Sequence, residues 1–133
     1  MQNFKLNFFH TCDFASFDQQ GKLNVLGIFE NIYTPAVPYS HPQMFIVSNI
    51  SFSKSGKFKE VIKIISEDGL DEVAKLEFPI NVKISNDEEN MSIGVFGQLN
   101  GVKFGKNSKY KVQILIDENL IEEKIMSVSI PLK

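Results

Sequence analysis

The chain has 133 residues, 43% of them hydrophobic and 23% charged, which excludes intrinsic disorder and is expected to form one domain, 1–133. Its 14 basic residues are all Lys, set against 16 acidic ones for a net charge of −2, and neither Arg nor Trp occurs. A nucleic-acid reader is expected to show a basic excess and Arg forks, and a sugar site a Trp platform, so both classes are disfavoured.

Period-two alternation of β-branched and aromatic residues dominates, broken by turn chemistry every ten residues or so. A first strand is predicted over 4–12, with Phe4, Leu6 and Phe8 on one face and Cys12-Asp13 at its end. The turn Asp18-Gln19-Gln20-Gly21 leads into a strand over 22–33. There Gly27 interrupts an apolar run, as glycine does at a bulge or a close backbone approach. A third strand is predicted over 44–53, and Ser55-Gly56 opens a fourth over 57–65. Glu67-Asp68-Gly69 turns the chain into a fifth over 71–78. Pro79 cannot donate to a ladder, which puts that strand at an edge or ends it. Ile80, Val82 and Ile84 continue the alternation up to an acidic turn over 86–90, and residues 91–99 form the next strand, loosened by Gly94 and Gly97. Tyr110, Val112, Ile114 and Ile116 alternate most cleanly. Asp117-Glu118-Asn119 then returns the chain as a strand over 121–132, with Met126, Val128 and Ile130 on one face.

No segment carries enough helical periodicity to nucleate a helix. Seven to nine short strands at this spacing point to an all-β fold, a single antiparallel β-sandwich, with a closed barrel as the architecture the pattern does not separate from it. Phe104 and Tyr110 flank Gly105-Lys106-Asn107-Ser108 directly before the cleanest strand. A tyrosine placed there either caps the strand or forms the corner in which the phenol bonds back to backbone, a mark of immunoglobulin-like sandwiches.

One set of residues runs through the chain: Cys12-Asp13, then Gly21-Lys22-Leu23-Asn24-Val25-Leu26-Gly27-Ile28-Phe29, Ile32, and Pro35, Pro38 and Pro42. With the Tyr110 strand and the Ile116-Asp117 turn, it resembles a family of small bacterial immunoglobulin-like proteins of unknown function. Members share the Cys-Asp strand end, a Gly-Lys-Leu-(Asn/Tyr)-(Ile/Val)-Leu-Gly strand and a Pro-rich loop. The resemblance implies an immunoglobulin-like sandwich in a bacterial cytoplasm, and it carries over no catalytic residue.

His10 and Cys12 lie two apart on a strand and project from one face, with Asp13 next. Two side-by-side ligands fall short of the three or four that zinc takes, and His41 is the only other histidine in the sequence. As a nucleophile Cys12 lacks a following Gly-rich oxyanion turn, and Asp13 raises a neighbouring thiol's pKa rather than lowering it. A packed strand end is the expectation. Three acidic clusters, at 67–72, 87–89 and 117–119, offer oxygens to calcium, yet none has EF-hand spacing and acidic turn tips are ordinarily solvated. Lys54, Lys57, Lys59 and Lys63 interleave with Phe52 and Phe58 in the manner of a single-strand nucleic-acid platform. At this net charge they are expected instead on an edge strand, where Lys repels strand addition. In the stretch 34–42 three prolines hold the chain stiff and extended, and Val37, Tyr39 and His41 alternate along it as a small protein-contact surface.

No run approaches the roughly 20 apolar residues of a membrane span, the N-terminus lacks a signal-peptide h-region, and the lone Cys12 suits a reducing compartment. The sequence therefore predicts a non-enzymatic, cytoplasmic β-sandwich acting as a protein-interaction or structural component. It is expected to have a protein partner or self-association, no nucleic acid, no membrane, no catalytic residue, no cofactor and no metal, with Val37, Tyr39 and His41 as contact residues. The alternative is a small-ligand or metal-ion-binding sandwich that uses loops at one end. Arg and Trp dominate binding hot spots, so their absence points to modest or multivalent affinity.

Overall fold

Turn chemistry sets where the strands reverse. At the first hairpin Asp18 Oδ1 accepts hydrogen bonds from the Gln20 and Lys22 amides, both at 2.8 Å, an Asx-type turn. At the last hairpin Asp117 and Glu118 take φ values of 48° and 72°, the conformation of a two-residue loop whose twist matches its strands. The structure is a computed structural model and describes residues 3–85 and 89–131. Within them the strands are β1 (Phe4–Phe17), β2 (Leu23–Ile28), β3 (Asn31–Tyr33), β4 (Tyr39–Phe52), β5 (Gly56–Ser66), β6 (Glu72–Val82), β7 (Met91–Phe104), β8 (Lys109–Ile116) and β9 (Asn119–Ser129). No described residue is helical, and the fold is all-β.

A four-stranded sheet has the order β2-β1-β4-β7, and a five-stranded sheet the order β3-β9-β8-β5-β6. The two share a core. Phe9, Met44, Ile46, Ile50 and Phe52 of the first meet Ile62, Ile64, Val112, Ile114, Ile116, Met126 and Val128 of the second. Each such side chain contributes roughly 1.5–3 kcal/mol of burial free energy. The alternation of β8 is realised in full, with Tyr110, Val112, Ile114 and Ile116 all buried. The Tyr110 hydroxyl donates to Lys106 O at 2.9 Å and accepts from Lys106 N at 3.2 Å, while the ring meets Phe104 edge-on. This is the back-bonded corner rather than a simple strand cap.

The four-stranded sheet also curls on itself. A second cluster of Cys12, Ala15, Phe45 and Val47 is covered by Phe8, Leu23, Val25 and Phe96. Phe17 of β1 reaches Phe96 of β7 with ring centroids 5.1 Å apart, and Leu23 of β2 lies beside Gly94 of β7. The β1–β2 hairpin thus folds across the sheet towards its opposite edge. At another margin β6 presses onto β7, where Leu76 and Phe78 fill the space a side chain at Gly97 would need.

Several expectations require correction. A register shift between Leu6 and Phe8 inserts an extra residue in β1, so Phe9 enters the main core and Phe8 covers the second cluster. β1 does not end at Cys12-Asp13 but runs on to Phe17, because residues 12–17 pair with β2. The predicted strand over 22–33 is two strands in different sheets. The chain leaves β2 at Ile28, crosses through Phe29 and Glu30, and joins β9 as β3 in a parallel pairing, so the ladder is not purely antiparallel. β4 begins at Tyr39 and β7 extends to Phe104, since these stretches pair with each other. β6 passes through Pro79, which the position permits because β6 is a terminal strand. The lysine-bearing β5 is not an edge; it lies between β8 and β6. β9 stops at Ser129 and leaves Ile130 exposed. Asp87 and Glu88 of the acidic cluster, and Leu132, lie outside the described residues.

Candidate functional site

Tyr39 and His41 occupy alternate positions of β4, opposite Phe104 and Val102 of β7, so their side chains share one face. The Tyr39 hydroxyl lies 3.0 Å from His41 Nδ1, and the two rings meet edge-on. The 29–33 crossover is pinned beside them. Thr11 O accepts from the Phe29 amide at 3.0 Å, Thr11 Oγ1 donates to Phe29 O at 2.6 Å, and the Ser127 amide donates to Glu30 O at 2.9 Å. Phe29 then rests 5.9 Å from the His41 ring. The result is a shallow depression of about 170 Å³ lined by Asp13, Phe29, Asn31, Tyr33, Tyr39 and His41.

Burial pushes the His41 imidazole below its ordinary pKa, against the opposing pull of the Asp13 carboxylate. The Tyr39 hydroxyl and His41 Nδ1 form a hydrogen bond whose donor is set by the ring's tautomer. Val37 is half-buried and, like Tyr39 and Phe29, packs against the main core. Of the three predicted contact residues, Tyr39 and His41 line this depression and Val37 does not. Asp13, Phe29 and Tyr33 were not anticipated. The available signal was Gly27, whose φ is 69° and whose missing Cβ leaves room for the Asp13 carboxyl; an added Cβ would lie 2.9 Å from Asp13 Cγ.

His10 and Cys12 do not form a reactive pair. Cys12 is fully buried in the second cluster, its thiol directed at Phe14 O at 3.6 Å. Burial raises its pKa, Asp13 adds to the rise, and the Phe14 hydrogen bond opposes it. His10 stacks on Phe8, and its Nδ1 lies 3.5 Å from Lys124 Nζ. Burial and the Lys124 ammonium lower the His10 pKa while Glu30 opposes them. Lys124 itself ties β9 to β1 by donating to Phe9 O and lying 4.6 Å over the Phe9 ring. Among the described residues no three His, Cys, Asp or Glu side chains are grouped as a metal would require. Asp68 and Asp117 of the acidic turns are engaged in hydrogen bonds within the chain. Asp68 Oδ1 accepts from Ser66 Oγ and the Leu70 amide, and Asp117 Oδ1 from the Lys59 amide.

Exposed apolar side chains are concentrated in the first hairpin and the crossover that follows it. Phe14, Phe17, Leu26, Ile28 and Tyr33 make up five of the ten exposed large hydrophobic residues among those described, and all fall within residues 14–33. Ile28 also shares a cleft with Ile125, Phe29 and Lys124. The inventory is one of aromatic faces, apolar side chains, an imidazole, a phenol and a carboxylate.

Residues 7–129 match the model of a protein family described as a family of unknown function, DUF6941. No curated protein matches the chain. Among solved structures it is similar to an immunoglobulin-like protein from Pseudomonas aeruginosa, at 9% identity over 96% of this chain and 97% of that one, with a TM-score of 0.39.

Proposed function

Since the chain belongs to DUF6941, a family of unknown function, we propose from its own geometry that it is a non-enzymatic β-sandwich domain whose work is protein contact. Phe14 and Leu26, exposed and opposite each other on β1 and β2, form with the exposed Ile28 an apolar flank that carries this reading, because exposed apolar surface on a folded domain marks interaction sites. The Tyr39–His41 depression adjoins that flank through Phe29 and Tyr33 and adds hydrogen-bonding groups at its rim. Val37, half-buried on the same stretch, belongs to the proposed contact surface.

The finer assignments belong to the same proposal. The back-bonded corner at Tyr110 supports an immunoglobulin-like sandwich spanning 1–133. A buried free thiol at Cys12 suits a reducing, cytoplasmic setting in a bacterium. The acidic net charge and lack of Arg support a protein partner over nucleic acid or membrane.

The test compares native protein with Phe14→Ser and Tyr33→Asp variants by sedimentation and by affinity capture from the native cell. A self-complex or captured protein lost in both variants supports the contact reading. Complexes untouched by either variant, or a strict monomer stabilised instead by a metabolite, would overturn it.

A further inference from the structure

Aromatic rings gathered around an acid that has no counter-charge are what an organic cation binds. The depression beside β4 has this make-up. Phe29, Tyr33, Tyr39 and His41 line it together with the Asp13 carboxylate, and no lysine does. Three other depressions among the described residues each carry ammonium groups: Lys124, Lys5, and Lys103 with Lys106.

Asp13 is placed there without a partner. Gly27, at φ 69°, lacks the Cβ that would collide with the Asp13 carboxyl. The described ion pairs lie elsewhere, on Lys59, Lys75 and Lys111, and no described residue gives Asp13 a hydrogen bond or an ion pair. Of the rings, Phe29 and Tyr39 pack against the main core, so they are held before any ligand arrives. Burial lowers the His41 pKa, which near neutral pH makes its ring a further face rather than a competing charge.

The same inventory selects the kind of cation. A metal ion such as calcium takes about six or more oxygens, and no metal-holding group of side chains occurs among the described residues. A guanidinium has five N–H donors to satisfy. With Tyr39 and His41 bonded to each other, the lining leaves it only Asp13, Asn31 and Tyr33 as side-chain acceptors. A quaternary ammonium has no N–H to satisfy and lays its methyl groups against the rings. At about 170 Å³ the depression is smaller than the roughly 300 Å³ of a site that encloses a whole drug-sized ligand, and it suits a head group.

We propose that this depression binds an alkylated ammonium group, the trimethylammonium head of a choline-like amine or of a methylated lysine. The proposal stands on the depression and does not require the apolar flank to be a contact surface.

Titration of the full chain with choline, followed through its amide NMR signals, tests it, with circular dichroism confirming that each variant is folded. The Asp13, Asn31, Tyr33 and His41 signals are expected to move together, with a dissociation constant of about 1 mM. The neutral tert-butyl isostere, dimethylbutanol, and acetyl-arginine amide are each expected to bind about tenfold more weakly. Asp13→Asn removes the charge and Tyr33→Leu the ring, both at exposed positions. Each is expected to weaken choline about threefold. Choline that displaces a protein captured from the native cell assigns the site to a methylated lysine of that protein. Choline that binds without displacing one assigns it to a free amine. Absence of choline binding, equal binding of the neutral isostere, equal or tighter binding of the arginine amide, or affinity indifferent to both variants overturns the proposal. The contact reading is judged separately, by whether Phe14→Ser still loses its captured protein.

Discussion

Ser48 on β4 donates a 2.6 Å hydrogen bond to Glu60 Oε2 on β5, joining the two sheets through their buried interior. Both residues are buried, Glu60 to 1% exposure. Burial pushes the Glu60 carboxyl above its ordinary pKa, and the Ser48 bond only partly offsets this. The protonated form is therefore favoured by the fold. Its contribution to stability is complete below the ordinary carboxylate range and is lost as pH rises through the raised value. Glu60→Gln is expected to remove this dependence, so that in urea unfolding the native protein loses more stability than the variant as pH rises above the ordinary carboxylate range. Ser48→Ala leaves the carboxyl without its donor and is expected to cost about 1–3 kcal/mol.

The corner at Tyr110 makes a second prediction. Tyr110→Phe keeps the ring against Phe104 but removes the hydroxyl that serves both Lys106 N and Lys106 O. The expected loss is about 1–3 kcal/mol for two hydrogen bonds. Amide exchange at Lys106 should quicken, while the β8 amides keep their protection relative to global unfolding.

Gly97 marks the contact between β7 and β6. A Cβ there would lie 2.6 Å from Leu76 Cδ1 and 3.0 Å from Phe78 Cζ. Both atoms end side chains able to shift, so Gly97→Ala is expected to cost about 1 kcal/mol, the low end of overpacking. Combining it with Leu76→Ala should relieve the clash, giving a double variant more stable than the sum of the single losses.

Cys12 is expected to be inert in the native state. With no exposed surface and a pKa raised chiefly by burial, the thiol should resist alkylation at neutral pH and react fully once the protein is unfolded in urea. Prompt stoichiometric labelling of folded protein would contradict this placement.

The strands that sequence reading recovers best are those whose signal is local. β8 alternates without interruption, and Asp18 and Asp117 announce their turns, so β8 and both hairpins stand where expected. The extra residue between Leu6 and Phe8 carries no comparable mark, yet it exchanges Phe8 for Phe9 in the core. Glu60 sits in a charged-looking run beside Lys59, and nothing nearby announces that its partner is Ser48 on the opposing sheet. At the candidate site Tyr39 and His41 were legible from alternation, whereas Asp13, Phe29 and Tyr33 join them only because the chain changes sheets after Ile28.

Alternation and turn residues act between near neighbours along the chain, and they suffice to specify an all-β protein, most of its strands and the inward face of the clearest ones. Strand partners are chosen across long sequence separations, and a single added residue reverses every face beyond it. That is why only the tertiary structure reveals β5 as an interior strand, β3 as parallel to β9, and β2 as a terminal strand folded towards β7.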